Sequence, residues 1–403
     1  MRPGTLTALV AVGLAVAAPV ALAGQQSTTI GTGAKTCVLG PGADCRGVVH
    51  RWTVEHRGNL RKAKFTKADL RGVDFRGADL RGADFRGAKL RHADLRGANL
   101  KGARFHAPPG ARKQANQTPS CAPRCQGADL TGANLTGANL ASANLTNANL
   151  SNANLTGVNL GGANLTGANL TNAWLDGANL QGANFWSANL TGAILRDANL
   201  HLAFLADSSL NSATLTGARL TSANLTGADL TGANLTSANL TSANLSGADI
   251  TGANFTYATL NGVRSGSLIG PPRVIPSGWV LANGYLMGPG AYLTSAYLTS
   301  AWLSNVDLTS ANLTGADLTI ANLYYANLGG ANLTNAILRF ADLTNVNLTG
   351  ANLTGADLSG ADLSGANLTG ANLTNAWLDV ADLTGARWEN TTCPNGTVTS
   401  TGC

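Results

Sequence analysis

The chain has 403 residues, of which only 12% are charged, with 49 glycines and few aromatics. Apolar residues make up 44%, and they recur too regularly for a disordered chain. The net charge of +6 conceals a split, because residues 1–125 carry 21 Lys/Arg against 7 Asp/Glu while residues 126–403 carry 6 against 14; one end is basic and the remainder mildly acidic.

Residues 1–23 read as a secretory signal. Arg2 gives a positive start, Leu6 to Ala18 an apolar stretch, and Ala21-Leu22-Ala23 a small-x-small cleavage site. The alternative is an uncleaved anchor helix, against which Pro19 weighs. No later segment is apolar enough to span a membrane, so the expectation is a secreted or cell-envelope-associated protein with no stable membrane span after signal cleavage. Residues 24–56 read as an N-terminal cap containing Cys37 and Cys45. Cysteines fall in three near pairs, Cys37/Cys45, Cys121/Cys125 and Cys393/Cys403. Many pairings are open to six cysteines, but each near pair sits at the edge of a regular block, which favours local clasps. A zinc site is the rival, although no histidine lies at ligand spacing from them.

From residue 57 a five-residue word takes over, as in ADLRGVDFRGADLRGADFRG over 68–87. Large apolar centres run from Leu60 to Phe105, from Leu130 to Leu260 in the same phase, and from Leu293 to Trp388 in a phase shifted by three. Ala stands two residues before nearly every centre, Asp or Asn lies between, and Thr, Ser or Arg and then Gly, Ser or Asn follow. A period of five fits neither an α-helix nor a flat strand. Ala and Leu, two apart, point the same way along a short extended piece, and the following Gly, Asn or Ser tolerates a turn. Strand plus turn, repeated, makes a coiled ladder with strands about 4.8 Å apart and leucines inside.

These A-[D/N]-L-x-x words, over about three-quarters of the chain, resemble the pentapeptide-repeat family. The resemblance implies an all-β fold, the right-handed quadrilateral β-helix, with four words per coil. The words then make about fourteen coils, a solenoid interrupted by two loops and roughly 70 Å long at about 4.8 Å per coil. Residues twenty apart fall in one column, so Phe65, Phe85 and Phe105 should stack as a core ladder.

The block 57–105 is basic. Arg61, Arg71, Arg76, Arg81, Arg86, Arg91, Arg96 and Lys101 form its candidate surface. Asp69 and Arg71 flank an inward residue and face solvent within reach of each other, the Asp slots being solvated; exposed pairs of this kind contribute about 0–1 kcal/mol. Successive arginines fall on successive faces, so the charge is expected to encircle the rod. Residues 106–125 are a Pro- and Gly-broken loop with Cys121 and Cys125, one coil long, so the frame survives it.

The block 126–263 exchanges Arg for Thr. Thr131, Ser151, Thr171, Thr191, Asn211, Thr231 and Thr251 form one column, a candidate polar ladder. Residues 264–290 break the repeat, with WVLANGYLM as an Asn-Gly hairpin signal; a brace packing Trp279 and Tyr285 onto the rod is the favoured reading. The block 291–390 resumes the words, and 391–403 form a C-terminal turn clasped by Cys393 and Cys403. Tyr292, Tyr297 and Trp302, five apart, turn to three sides and make no aromatic platform; Trp174, Trp186 and Tyr324 are read as isolated.

No catalytic constellation emerges. His50, His56, His92, His106 and His201 are scattered, and no phosphate loop, nucleophile elbow or zinc-protease stretch is present. The expectation is an exported, non-catalytic scaffold or interaction surface without cofactor or metal. Its partner is an unknown protein or an anionic surface polymer met by the basic coils. Ice or crystal binding through the Thr/Asn ladders is the alternative. Nucleic-acid binding is disfavoured for want of a cationic groove with stacking aromatics. Some members of the resembled family protect DNA gyrase as acidic DNA mimics; the basic first coils and the export signal depart from that pattern.

Overall fold

The computed structural model describes residues 29–32, 35–48, 58–105 and 129–403. The expected signal over 1–23 and the pair Cys121/Cys125 lie outside the described residues, as do His50, His56 and His106. Parallel bridges join each word to the one twenty residues on, as in Asn134↔Asn154↔Trp174. Four words therefore close one coil, with four flat faces. We number the faces from the N-terminal block: the first passes through Asn59, the second through Lys64, the third through Asp69 and the fourth through Asp74. The regular structure of the described residues consists of turns, bridges and short strands, with no helix among them.

One word shows why five residues suffice. In Ala133–Gly137 every backbone N–H has an acceptor, and each goes to a different place. Ala133 donates to Leu130 O across a turn at 3.0 Å, Asn134 to Ala93 O of the preceding coil at 3.0 Å, and Leu135 to Asn154 O of the next at 2.7 Å. Gly137 donates to Thr156 O at 2.9 Å. The remaining donor, Thr136 N–H, points at neither coil and is taken by Asn134 Oδ1 at 3.2 Å. A backbone N–H left unpaired is costly, which fixes Asp or Asn in the slot before the centre. The slot two residues after the centre has positive φ, as at Gly137 (62°), which is why Gly, Asn and Ser collect there.

The leucine and alanine slots point inward and are buried along the rod, except in the last coil, where Leu378, Ala381, Leu383 and Ala386 are half-buried. Phe65, Phe85 and Phe105 form the expected stack, with ring centroids 5.0 and 5.3 Å apart and planes tilted by 11° and 10°. Phe75 joins from the opposite face, 5.7 Å from Phe65. At the N-terminal end β1 (Thr29–Thr32) pairs antiparallel with β2 (Lys35–Val38), and Cys37 is bonded to Cys45, whose side chain fills a leucine slot.

The two breaks differ. Across the first, the ladder passes from Lys89 to Asp129, forty residues on, without changing face. Across the second, it passes from Arg264 to Tyr292, twenty-eight residues on instead of twenty. The excess of eight is the length of Val280–Met287, a hairpin of β3 (Val280–Ala282) and β4 (Tyr285–Met287). Its turn residues Asn283 and Gly284 have φ of 47° and 75°, as a tight hairpin turn requires. Eight extra residues shift a five-residue frame by three, which accounts for the phase change in the sequence.

The hairpin packs into the rod. Gly284 O accepts from Leu268 N–H at 3.1 Å, Asn283 donates to Thr299 O at 3.3 Å and Tyr285 Oη accepts from Tyr297 N–H at 3.2 Å. Trp279 packs against the core on both sides of the break. Gly288 stands where a leucine would fall one coil before Leu308, and a Cβ there would meet the Trp279 ring at 2.3 Å. The indole thus occupies space that the missing side chain leaves. At the far end β5 (Thr391–Thr392) and β6 (Val398–Thr399) pair, and Cys393 is bonded to Cys403.

Candidate functional site: a basic edge on the N-terminal coils

The Asp-x-Arg words build forked ion pairs. Arg71 donates through Nε to Asp69 Oδ1 at 2.7 Å and through Nη2 to Asp69 Oδ2 at 2.6 Å. The same fork joins Arg81 to Asp79 and Arg96 to Asp94, and Arg76 and Arg86 to Asp74 and Asp84. The guanidinium hydrogen bond holds the Asp69, Asp74 and Asp79 carboxyls below the usual range. These aspartates are not the solvated outward residues that the sequence suggests. The Asp69 side chain is 15% exposed, and its Oδ1 accepts the Arg71 backbone N–H at 3.5 Å, the capping role that Asn134 plays elsewhere.

Pairing redistributes the charge. The arginines encircle the rod, but the net charge does not. On the fourth face Arg76 and Arg96 balance Asp74 and Asp94. On the third, Arg71, Lys89 and Arg91 face Asp69 alone. The first face sets Arg61, Lys62, Arg81 and Lys101 against Asp79, and the second sets Lys64, Lys67, Arg86 and Arg104 against Asp84. Two adjacent faces therefore hold most of the excess. Along the edge they share, Arg61, Lys62, Lys64, Lys101 and Arg104 make no ion pair among the described residues. Of the predicted basic surface, Arg61, Arg81 and Lys101 lie on this edge. Arg86 lies across the second face, Arg71 and Arg91 on the third, and Arg76 and Arg96 on the balanced fourth. Sequence reasoning missed Lys62, Lys64 and Arg104, because Lys64 and Arg104 replace the expected Asp or Asn and Lys62 takes a turn slot.

The polar ladder turns inward on itself. Thr131, Thr171 and Thr251 donate their hydroxyls to Asp129, Asn169 and Asp249 of their own words at 2.6 Å. Thr191 and Ser209 hydroxyls meet at 3.0 Å, while Ser151 and Thr231 donate backbone N–H to Asn149 and Asp229. On the first face asparagines bond from coil to coil, Asn159 to Asn139 and Asn179 to Asn159.

Among the described residues no group of three or more His, Cys, Asp or Glu side chains is placed to hold a metal ion. His201 Nδ1 lies 2.9 Å from Thr221 O, and His92 lies on a separate face. A cavity of about 720 Å³ opens at the C-terminal end between Trp377, Leu378, Leu383 and Pro394, with Asp379 as its carboxylate. Tyr324, read as isolated, stands edge-on to Tyr325 with centroids 4.5 Å apart; comparing words five apart overlooks neighbours within one turn.

The pentapeptide repeats family model matches residues 57–106, 124–264 and 291–385. The chain belongs to the pentapeptide repeat family. This pentapeptide repeat protein is 32% identical to HetL, a pentapeptide repeat protein involved in heterocyst differentiation regulation from the cyanobacterium Nostoc sp. strain PCC 7120, over 67% of this chain and 91% of that one, with a TM-score of 0.23. A pentapeptide repeat protein from the Arabidopsis thaliana thylakoid lumen is 34% identical over 33% of this chain and 68% of its own, with a TM-score of 0.11. QnrB1, a plasmid-mediated fluoroquinolone resistance protein, is 20% identical over 51% and 89%, with a TM-score of 0.28. A comparison with curated proteins finds no match. The family and the ladder together give a right-handed quadrilateral β-helix.

Proposed function

We propose that this protein is an exported, non-catalytic rod of about fourteen coils that holds an anionic polymer of the cell envelope along the edge between its first and second faces. The observation that carries this reading is the concentration on one edge of cations that make no salt bridge among the described residues, Arg61, Lys62, Lys64, Lys101 and Arg104, while the fourth face of the same coils is neutral. A row of cations at coil spacing, about 4.8 Å, suits a chain carrying regularly spaced negative groups more than a single small ion. The signal-like residues 1–23 and the two disulfides support an oxidising compartment.

The test is retention of the purified mature protein on immobilised polyuronate and on polyphosphate. Retention should fall steeply with salt. R61Q/K62Q/K64Q/K101Q should weaken it at least tenfold, while R76Q/R96Q on the balanced face should change it little. Equal losses from both variants would refute a localised edge.

A further inference from the structure

The last block carries a second surface of different chemistry. Among the described residues with positive φ, most that are not glycine are Ser, Asn, Asp or Lys; the large apolar or aromatic exceptions are Leu202, Tyr257, Ile320, Tyr325, Phe340 and Val380. Three of these, Ile320, Phe340 and Val380, share a column with Ser300 and Gly360 at the edge where the third face turns into the fourth. Their φ values are 59°, 55° and 53°. A bulky or β-branched residue in this conformation costs about 1–3 kcal/mol. Burial does not offset that cost within the chain, because the three are 58%, 63% and 89% exposed.

The third face itself continues the apolar character. Its bridge column in this block reads Tyr297, Asp317, Ile337, Asp357, Trp377, with Tyr297 and Trp377 76% and 58% exposed. The corresponding column of the first face reads Asp307, Asn327, Asn347, Asn367, Arg387, and that of the second is asparagine from Asn312 to Asn372. Most of the exposed large side chains of this block thus gather along one ridge, with Trp302 on the fourth face and Tyr324 and Tyr325 at the turn from the fourth to the first as the exceptions. Acidic groups line both sides of the ridge: Asp317 and Asp379 on the third face, where Asp357 is buried, and Asp342, Asp362 and Asp382 in successive coils of the fourth. Arg339 is the one cation on these two faces between 291 and 390, and it is bonded to Asp357.

An exposed apolar ridge between acidic rows is complementary to a helix with leucine-like side chains on one face and cations flanking them. From Tyr297 to Trp377 the ridge rises four coils, about 19 Å at 4.8 Å per coil, the length of a helix of about 13 residues. We propose that the edge between the third and fourth faces over residues 297–382 docks a cationic amphipathic helix of a partner protein. The proposal is independent of the polymer reading, since it uses the opposite charge at the opposite end of the rod.

The probe is a fluorescently labelled 14-residue Leu/Lys peptide with its leucines on one helical face, titrated with the full mature chain and followed by anisotropy. A peptide of the same composition with the leucines dispersed is the control. The amphipathic peptide should bind at least tenfold more tightly than the control. I320S/F340N/V380G should remove at least tenfold of that affinity while melting no earlier than the parent, because the new residues are ones this slot ordinarily takes. D342N/D362N/D382N should flatten the salt dependence. Equal binding of the two peptides, or binding unchanged by I320S/F340N/V380G, overturns the proposal. So does a concentration-dependent dimer that I320S/F340N/V380G abolishes, because the ridge would then be a contact between copies of this chain.

Discussion

At the scale of the residue, the Asp or Asn before each centre is a backbone cap. The word supplies four N–H donors with carbonyl acceptors and leaves a fifth that only a side chain within the word reaches. Asn154 illustrates it, with Oδ1 3.1 Å from Thr156 N–H. N154A should therefore cost about 1 kcal/mol in urea unfolding, and N154D should be close to neutral, since a carboxylate caps as well. A loss that is the same for both variants would mean the side chain acts otherwise. The inward alternation of Ala and Leu was legible in the sequence because a period of two within each word is a sidedness signal. The cap was not, because an outward polar residue looks solvated until the directions of its neighbours' N–H groups are known.

Acid stability belongs to the same scale. Arginine partners depress the Asp69, Asp74 and Asp79 carboxyls relative to the unfolded chain. A depressed carboxyl contributes stability that is complete above its unfolded pKa, about 3.9, and that is lost as pH falls through the folded value. Chemical denaturation of the mature protein should thus be insensitive to these pairs above about pH 5 and weaken below about pH 4. D69N/D74N/D79N should reduce that acid dependence. An unchanged dependence in this variant would mean the forks are not formed in solution.

At the scale of the element, the hairpin Val280–Met287 and Trp279 join two stretches of core that are out of phase in sequence but continuous in space. The Asn-Gly turn was readable from the dipeptide alone. Its length of eight explains the frame shift only after Arg264 is seen beside Tyr292, with the guanidinium 4.4 Å from the ring centroid. Trp279 fills space over Gly288, so W279A opens a cavity between the two core stretches. It should cost about 3 kcal/mol and make residues 291–403 unfold separately from residues 58–263 in limited proteolysis. G288A should be damaging as well, because its Cβ would enter the indole. If W279A unfolds as a single unit with the parent's midpoint, the hairpin is an ornament on the rod instead of a brace.

At the scale of the whole molecule, the solenoid converts sequence position into direction. Residues twenty apart share a side, so a face is altered by changing every fourth word while the core is left alone. The chain uses this twice, with cations collecting on the first and second faces at one end and apolar and acidic groups on the third and fourth at the other. The overall charge split was legible from counting. Which side carries it was not, since ion pairing cancels some arginines and Lys64 and Arg104 appear in slots where the word predicts Asp or Asn. Ile320, Phe340 and Val380 escaped the sequence reading for a related reason, being twenty and forty residues apart in a slot otherwise given to small residues.

The register itself is the claim on which every face depends, and cysteine cross-linking reads it directly in oxidised, full-length protein. T216C/T236C, one coil apart in the same column, places Cα atoms about 4.8 Å apart, within disulfide reach, as does R264C/Y292C across the hairpin. T216C/T226C puts its thiols on opposite sides of the rod. The first two pairs should close quantitatively within the monomer and the third should stay reduced. Closure of T216C/T226C, or failure of R264C/Y292C, would contradict the twenty-residue coil and the eight-residue insertion.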